Sequence, residues 1–284
     1  MNSTLETSLL GRLQADFDRD GFCIARGLLS QTEVQTIRET FMLMNANGPV
    51  EGLSEIRRGK VDGTVGGYDA KDPLANYPRM MHPHLHPDKP VGPIAKAYML
   101  DQRIHAILST LMRESPYAVQ TMFYFKPPGA RGQDFHQDNF YLKVKPGNCM
   151  AAWIAVDDCD QENGGMMCVP ETGSYDIQCP EKSDPRLYFT TEHVAIPEGK
   201  TAVLPIMKAG DVLFFNGSTI HGSGPNTSAT RFRRSLICHY VPQSTTEMSH
   251  WYKVFDSAGN AVPIKTNEEG GPCGTAHPEP QRPH

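Results

Sequence analysis

The chain has 284 residues, with 27 Lys and Arg against 32 Asp and Glu, giving a net charge of −5 and a pI near 6.1. That balance provides no basic face for nucleic acid or an anionic membrane, and the pairs Arg57–Arg58 and Arg233–Arg234 are too short to make one. With 39% hydrophobic and 21% charged residues, the composition is that of a soluble globular protein with a sizeable core, and nothing in it argues for two domains.

Residues 4–19 can form an amphipathic helix, with Leu9, Leu10, Leu13 and Phe17 near one face and Asp20-Gly21 as its stop. The first ten residues lack the basic and long apolar segments of a signal peptide, and no apolar run nears the roughly 18 residues of a membrane span, so a cytoplasmic location is expected. Phe22–Ala25 reads as a short strand. Ser30 with Glu33 forms a capping box, and Val34, Ile37, Phe41 and Met44 follow at helical spacing, predicting a helix over 31–45. Residues 47–90 lose periodicity and are rich in Gly and Pro, as functional or disordered loops are. In that stretch His82, His84 and His86 alternate, but Pro83 and Pro87 oppose a regular strand and no carboxylates stand at ligand spacing. A lid or pocket wall is therefore favoured over a second metal site, with Tyr68, Arg79, His82 and His84 as candidate substrate contacts and exposed loop side chains as the alternative. Apolar residues from Ile94 to Leu111 mark a helical region over 91–113.

From Tyr117 onward, short β-rich runs alternate with turn residues. Strands are expected near 118–126, 134–142, 149–156, 166–170, 187–196, 201–206, 211–215, 219–222 and 232–241. This pattern fits a sandwich or barrel such as a jelly roll, with the helices packed outside. The organisation expected is one domain over 1–256, with a helical part at 1–115 and a β core at 116–245. Trp251, Tyr252 and Phe255 are its last anchors, before a flexible tail at 257–284. The seven cysteines form no C-x-x-C pair and read as small buried hydrophobes rather than as a zinc or disulfide framework.

On an extended strand, His136 and Asp138 would face the same way. Such a pair is weak evidence alone. His221, which follows the strand Asp211–Phe215, would complete a two-histidine, one-carboxylate triad whose open positions suit iron, a bidentate co-substrate and dioxygen. A dicarboxylate co-substrate held by iron at one end needs a cation at the other, and the arginine fork binds carboxylate through two parallel bonds. Strand alternation puts Arg233 with Ser235 on one face and Arg234 on the other. Arg233 is preferred because the Ser235 hydroxyl can add a bond to the same carboxylate.

The segments His136-Gln137-Asp138, Gly164-Gly165 with Pro170, Gly210 through Phe215, and His221 through Asn226 with Arg233 resemble the phytanoyl-CoA dioxygenase family of iron(II), 2-oxoglutarate-dependent oxygenases. The similarity runs from about Phe17 to Val241, and the motif set is specific in its order although each piece is weak. The resemblance implies a mainly β fold with flanking helices, the cupin-like double-stranded β-helix or jelly roll. It implies that His136, Asp138 and His221 bind iron and that Arg233 holds the distal carboxylate of 2-oxoglutarate. Met122, Tyr124 and Gln120 would lie along the co-substrate and Trp153 would border it, while Tyr141 and Lys143 are candidates for the pocket rim. The interval from His221 to the arginine is one residue longer than in relatives, which keeps Arg234 in play.

The activity implied is that of an oxidoreductase, a dioxygenase that uses O2 to hydroxylate a small molecule and releases succinate and CO2. Halogenating relatives lack the carboxylate ligand, so Asp138 disfavours halogenation. Basic residues in 47–90 are scattered among acids, which favours a polar metabolite or natural-product intermediate over an acyl-CoA. Desaturation, cyclisation or epimerisation by the same oxidant is the alternative within the class, and a non-catalytic jelly-roll binding protein is the alternative outside it.

Overall fold

The computed structural model describes residues 3–55 and 71–267. Helix α1 (Ser3–Asp20) ends at Gly21, whose φ of +81° turns the chain into strand β1 (Phe22–Ala25). Helix α2 (Gln31–Met44) opens with the expected capping box: Ser30 Oγ accepts from the Glu33 amide at 3.3 Å, and the Glu33 carboxylate accepts from the Ser30 amide at 2.8 Å. Ser30→Ala is expected to lower stability by about 1 kcal/mol in urea denaturation, the usual cost of losing a side-chain cap. Strand β2 (Met80–Met81) is the one piece of the long Gly- and Pro-rich loop that joins a sheet among the described residues.

The helical region expected over 91–113 is two helices, α3 (Val91–Met99) and α4 (Gln102–Met112). Asp101 breaks them. Its backbone is extended, with ψ 125°, and its side chain accepts from the Arg103 amide at 2.8 Å, starting a new helix. The apolar spacing runs through the break, which hides it from periodicity.

The β core follows. Its strands are β3 (Pro116–Tyr124), β4 (Gln133–His136), β5 (Met150–Ala155), β6 (Met166–Cys168), β7 (Glu181–Lys182), β8 (Glu192–His193), β9 (Val212–Asn216), β10 (His221–Ser223) and β11 (Ser235–Pro242). Beyond them lie β12 (Glu247–Met248), β13 (Val254–Phe255), β14 (Ala261–Val262) and β15 (Lys265–Thr266). The large sheet runs β1-β9-β5-β11-β3-β13-β14, and a smaller one runs β4-β10-β6. Period-2 alternation sorts the large sheet's side chains into two cores. Ala152, Ile154, Val212, Phe214, Leu236, Cys238 and Tyr240 pack with Val34, Ile37 and Phe41 of α2, where Phe41 stacks on Phe123 at 4.0 Å. Ala151, Trp153, Leu213, Phe215 and Ile237 join Met122 and Tyr124 on the opposite face, toward the small sheet. The two sheets form a double-stranded β-helix with the helices on its outside.

Five further expectations change. The strand expected over 134–142 stops at His136, and a short helix, α5 (Asn139–Leu142), takes its place, with Asp138 already helical at φ −63°, ψ −34°. The strand expected over 187–196 is only the β8 pairing with β7, and 201–206 contributes only a bridge from Val203 to Cys168, before Pro205, which lacks a donor. The tail expected to be flexible from 257 is paired as far as Asn267, because β14 folds back on β13 around an Asp256 side chain that accepts from the Ala258 and Asn260 amides. Cys179 is disulfide-bonded, whereas Cys23, Cys149, Cys159, Cys168 and Cys238 are buried and free. Tyr68 and residues 268–284 lie outside the described residues. No described helix is long and apolar enough to cross a membrane.

Candidate active site

Strands β4 and β10 are antiparallel with His136 opposite His221, so the two imidazoles sit side by side with ring centroids 4.2 Å apart. Asp138 reaches the same point by a different route from the one its spacing suggests. The chain leaves the strand after His136, and the first turn of α5 swings the carboxylate back, placing Oδ1 3.5 Å from His136 Nε2 and 3.4 Å from His221 Nε2. All three residues are buried, and their donor atoms lie within 4.8 Å of one another.

Backbone carbonyls orient the rings. His136 Nδ1 donates to Asp134 O at 2.7 Å and His221 Nδ1 donates to Thr219 O at 2.8 Å, which leaves each Nε2 lone pair facing the carboxylate. Burial, and then the neighbouring His221, holds the His136 pKa below its ordinary value, favouring the neutral ligand form. Two imidazole nitrogens and one carboxylate oxygen, buried and convergent, are a donor set that fits iron(II) with positions to spare.

The triad lines a cavity of about 360 Å³ together with Met122, Tyr124, Trp153 and Arg233. Sequence reasoning missed Gln133, Met166, Phe215, Ser223, Ile237 and His239, which line it too. The Gln133 amide nitrogen lies 3.1 Å from His136 Nε2. Period-2 alternation along β11 was the signal available for Ile237 and His239, since both share the face of Arg233 and Ser235.

Arg233 is buried with its guanidinium 5.3 Å from the Trp153 ring centre. It donates to Gly164 O at 3.1 Å, Ser235 Oγ at 3.1 Å and Ser223 Oγ at 3.4 Å, and among the described residues no carboxylate pairs with it. Burial lowers its pKa, yet a guanidinium keeps its charge in proteins. Arg234 faces the other way and forms a fork with Asp157 at 2.7 and 2.8 Å, so the two arginines are sorted as alternation requires. Arg234→Ala should therefore cost about 1 kcal/mol in denaturant unfolding, since Asp157 loses the fork but keeps Arg38 at 3.3 Å and the residue 234 amide, and leave dicarboxylate affinity unchanged in calorimetry.

Lys126 is a second buried basic side chain beside Arg233. Its ammonium donates to Gly164 O at 3.0 Å, Ser223 Oγ at 2.9 Å and Gly224 O, while burial and then Arg233 push its pKa well down. Gly164 has φ +69°, and a Cβ there would lie 2.5 Å from Gly224 O, so only glycine lets this carbonyl approach both side chains.

The remaining candidates scatter. Arg79 is buried, pairs with Glu55, donates to the Tyr124 hydroxyl, and lines a neighbouring cavity of about 310 Å³ that shares Tyr124 and Arg233 with the first. His82 and His84 line neither cavity. Burial lowers His82 to about 4 and His84 to about 3; the His84 ring bonds Thr121 Oγ1 at 2.8 Å, and the His82 ring lies 6.1 Å from that of Tyr252. Gln120 is buried on β3 opposite His239 but does not line the cavity, and Ser235 reaches it through Arg233. The Tyr141 ring lies 6.3 Å from that of His136, on α5 and not further along a strand as expected; Lys143 caps the same helix.

Phytanoyl-CoA dioxygenase 1 of Oryza sativa subsp. japonica is 27% identical over 165 residues, which cover 57% of this chain and 57% of the relative, so the chain spans little more than half the length of the curated relatives it matches. The epimerase SnoN from nogalamycin biosynthesis, solved with Fe3+, alpha ketoglutarate and nogalamycin RO, is 20% identical with a TM-score of 0.63, covering 93% of this chain and 97% of its own. The carbocyclase SnoK from nogalamycin biosynthesis is also 20% identical, with a TM-score of 0.62 over 83% and 85% of the two chains. These two share the fold. The phytanoyl-CoA dioxygenase (PhyH) profile matches residues 17–235, a span that contains His136, Asp138, His221 and Arg233, and the chain belongs to that family.

Proposed function

We propose that the protein is an iron(II)- and 2-oxoglutarate-dependent dioxygenase that hydroxylates a small molecule and releases succinate and CO2. One observation carries this reading: a buried two-histidine, one-carboxylate set and a buried arginine without an acid partner among the described residues face one cavity. Burying such groups is costly unless a ligand completes them, which weighs against a non-catalytic binding protein.

His136, Asp138 and His221 would hold iron. When bound, iron supplies dioxygen activation coupled to oxidative decarboxylation of the keto acid. Arg233 with Ser235 binds the distal carboxylate of 2-oxoglutarate, Trp153 packs over the guanidinium, and Met122 and Tyr124 wall the co-substrate. The co-substrate would span the cavity between the triad and Arg233, and the substrate would present its reacting carbon to the triad. Tyr141, whose ring lies beside that of His136, and Arg79, in the neighbouring cavity beyond Tyr124, are proposed as substrate contacts. A polar metabolite or natural-product intermediate fits this setting, and SnoN, solved with nogalamycin RO, supports the second.

Anaerobic addition of iron(II) and 2-oxoglutarate should produce a visible charge-transfer absorption, and oxygen should then yield succinate. Absence of the band, whichever component is added first, would overturn the reading. Screening compounds for stimulated succinate release identifies the substrate. Product mass then separates hydroxylation, which adds one oxygen, from desaturation or cyclisation, which removes two hydrogens, and from epimerisation, which changes nothing. The names epimerase and carbocyclase on two structural neighbours make these the second reading.

A further inference from the structure

We infer that His239 is a positioning residue for the metal-binding carboxylate, fixing which oxygen of Asp138 faces the two imidazoles. This rests on the triad being a metal site. Alternation along β11 sends Cys238 and Tyr240 into the helical core and leaves Ile237 and His239 on the cavity side. His239 is fully buried, opposite Gln120 on β3 and Ala151 on β5, and therefore rigidly placed at the centre of the large sheet.

Its Nε2 lies 3.0 Å from Asp138 Oδ2. An ionised carboxylate only accepts hydrogen bonds, so this nitrogen carries the proton and donates. The two oxygens of Asp138 are thereby made unequal, since Oδ2 is bound to His239 while Oδ1 stands 3.5 and 3.4 Å from the Nε2 atoms of His136 and His221. Asp138 makes no side-chain cap bond at the head of α5, and His239 reaches its carboxylate from across the barrel. A carboxylate held in this way binds through one oxygen and keeps further coordination positions open for co-substrate and dioxygen.

The test is titration of the metal-stripped full chain with Co(II), without keto acid, followed by calorimetry. His239→Leu should weaken Co(II) binding about 10–100-fold, the range for losing a partner of a metal ligand, and His239→Gln, whose amide keeps a donor at similar reach, should restore most of it. Thermal melts check folding, and His239→Asn, too short to reach Oδ2, substitutes if the leucine variant does not fold. Wild-type affinity in the folded leucine or asparagine variant overturns the inference, as does an equal loss in the glutamine variant. His136→Ala is measured alongside: if it also binds normally, the triad reading has failed, and if it alone loses affinity, only the role of His239 falls.

Discussion

His221→Ala should weaken iron(II) binding by more than about 100-fold and abolish the 2-oxoglutarate charge-transfer band. Loss of an outer partner of a metal ligand already costs about 10–100-fold, and here a ligand itself is removed. The Nε2 of His221 is one of three donor atoms within 4.8 Å of one another, so the two that remain have neither the number nor the spread to hold a cation against water. His221 is also the residue that the ladder sets opposite His136, with Phe215 packed on its ring at 4.3 Å, and the alanine removes that contact as well. Calorimetric titration of the metal-stripped protein gives the affinity, and a melt confirms that the variant is folded. Binding within a few-fold of wild type would remove His221 from the metal site.

Arg233→Ala should have the complementary phenotype, with iron(II) bound normally and the keto acid bound roughly 100-fold more weakly. Removing one partner of a buried, hydrogen-bonded charge pair costs about 2–5 kcal/mol, and each 1.4 kcal/mol is tenfold in affinity. Arg233→Lys should recover only part of the loss, because an ammonium cannot present the planar fork and would stand against Lys126, which already uses Ser223 Oγ and Gly164 O. Equilibrium dialysis of 2-oxoglutarate against iron-loaded protein reads the effect. Unchanged affinity would place the anchor elsewhere. The two variants together resolve the site, since one should lose both ligands and the other only the second.

Much of this site was legible in the sequence because it depends on short-range rules. The capping box at Ser30, the alternation that separates Arg233 from Arg234, and the ordered set of histidine, aspartate, histidine and arginine each express one local constraint. His136 and Asp138 were found for an incomplete reason. A spacing of two predicts a shared strand face, whereas the chain brings the carboxylate round through the first turn of α5, and either geometry satisfies the same spacing. The residues that were missed depend on distant pairing. His239 meets Asp138 across 101 positions, Lys126 meets Gly164 and Gly224 across 38 and 98, and no window of sequence contains either encounter. His82 and His84 drew attention through their residue type, but β2 pairs with β3 beside them and neither lines the cavity that holds the triad.

The two cores that share the large sheet have a consequence for how such an enzyme changes. Along β11 the residues alternate between duties, with Leu236, Cys238 and Tyr240 answerable to the helices and Ser235, Ile237 and His239 to the cavity. A substitution at one set leaves the other set's neighbours untouched. Specificity can drift through cavity positions such as Ile237 and Met166 at a stability cost confined to the second core, and the helical core can acquire stabilising changes without disturbing the chemistry. One strand, read at odd and even positions, lets a lineage explore new substrates without first having to relearn how to fold.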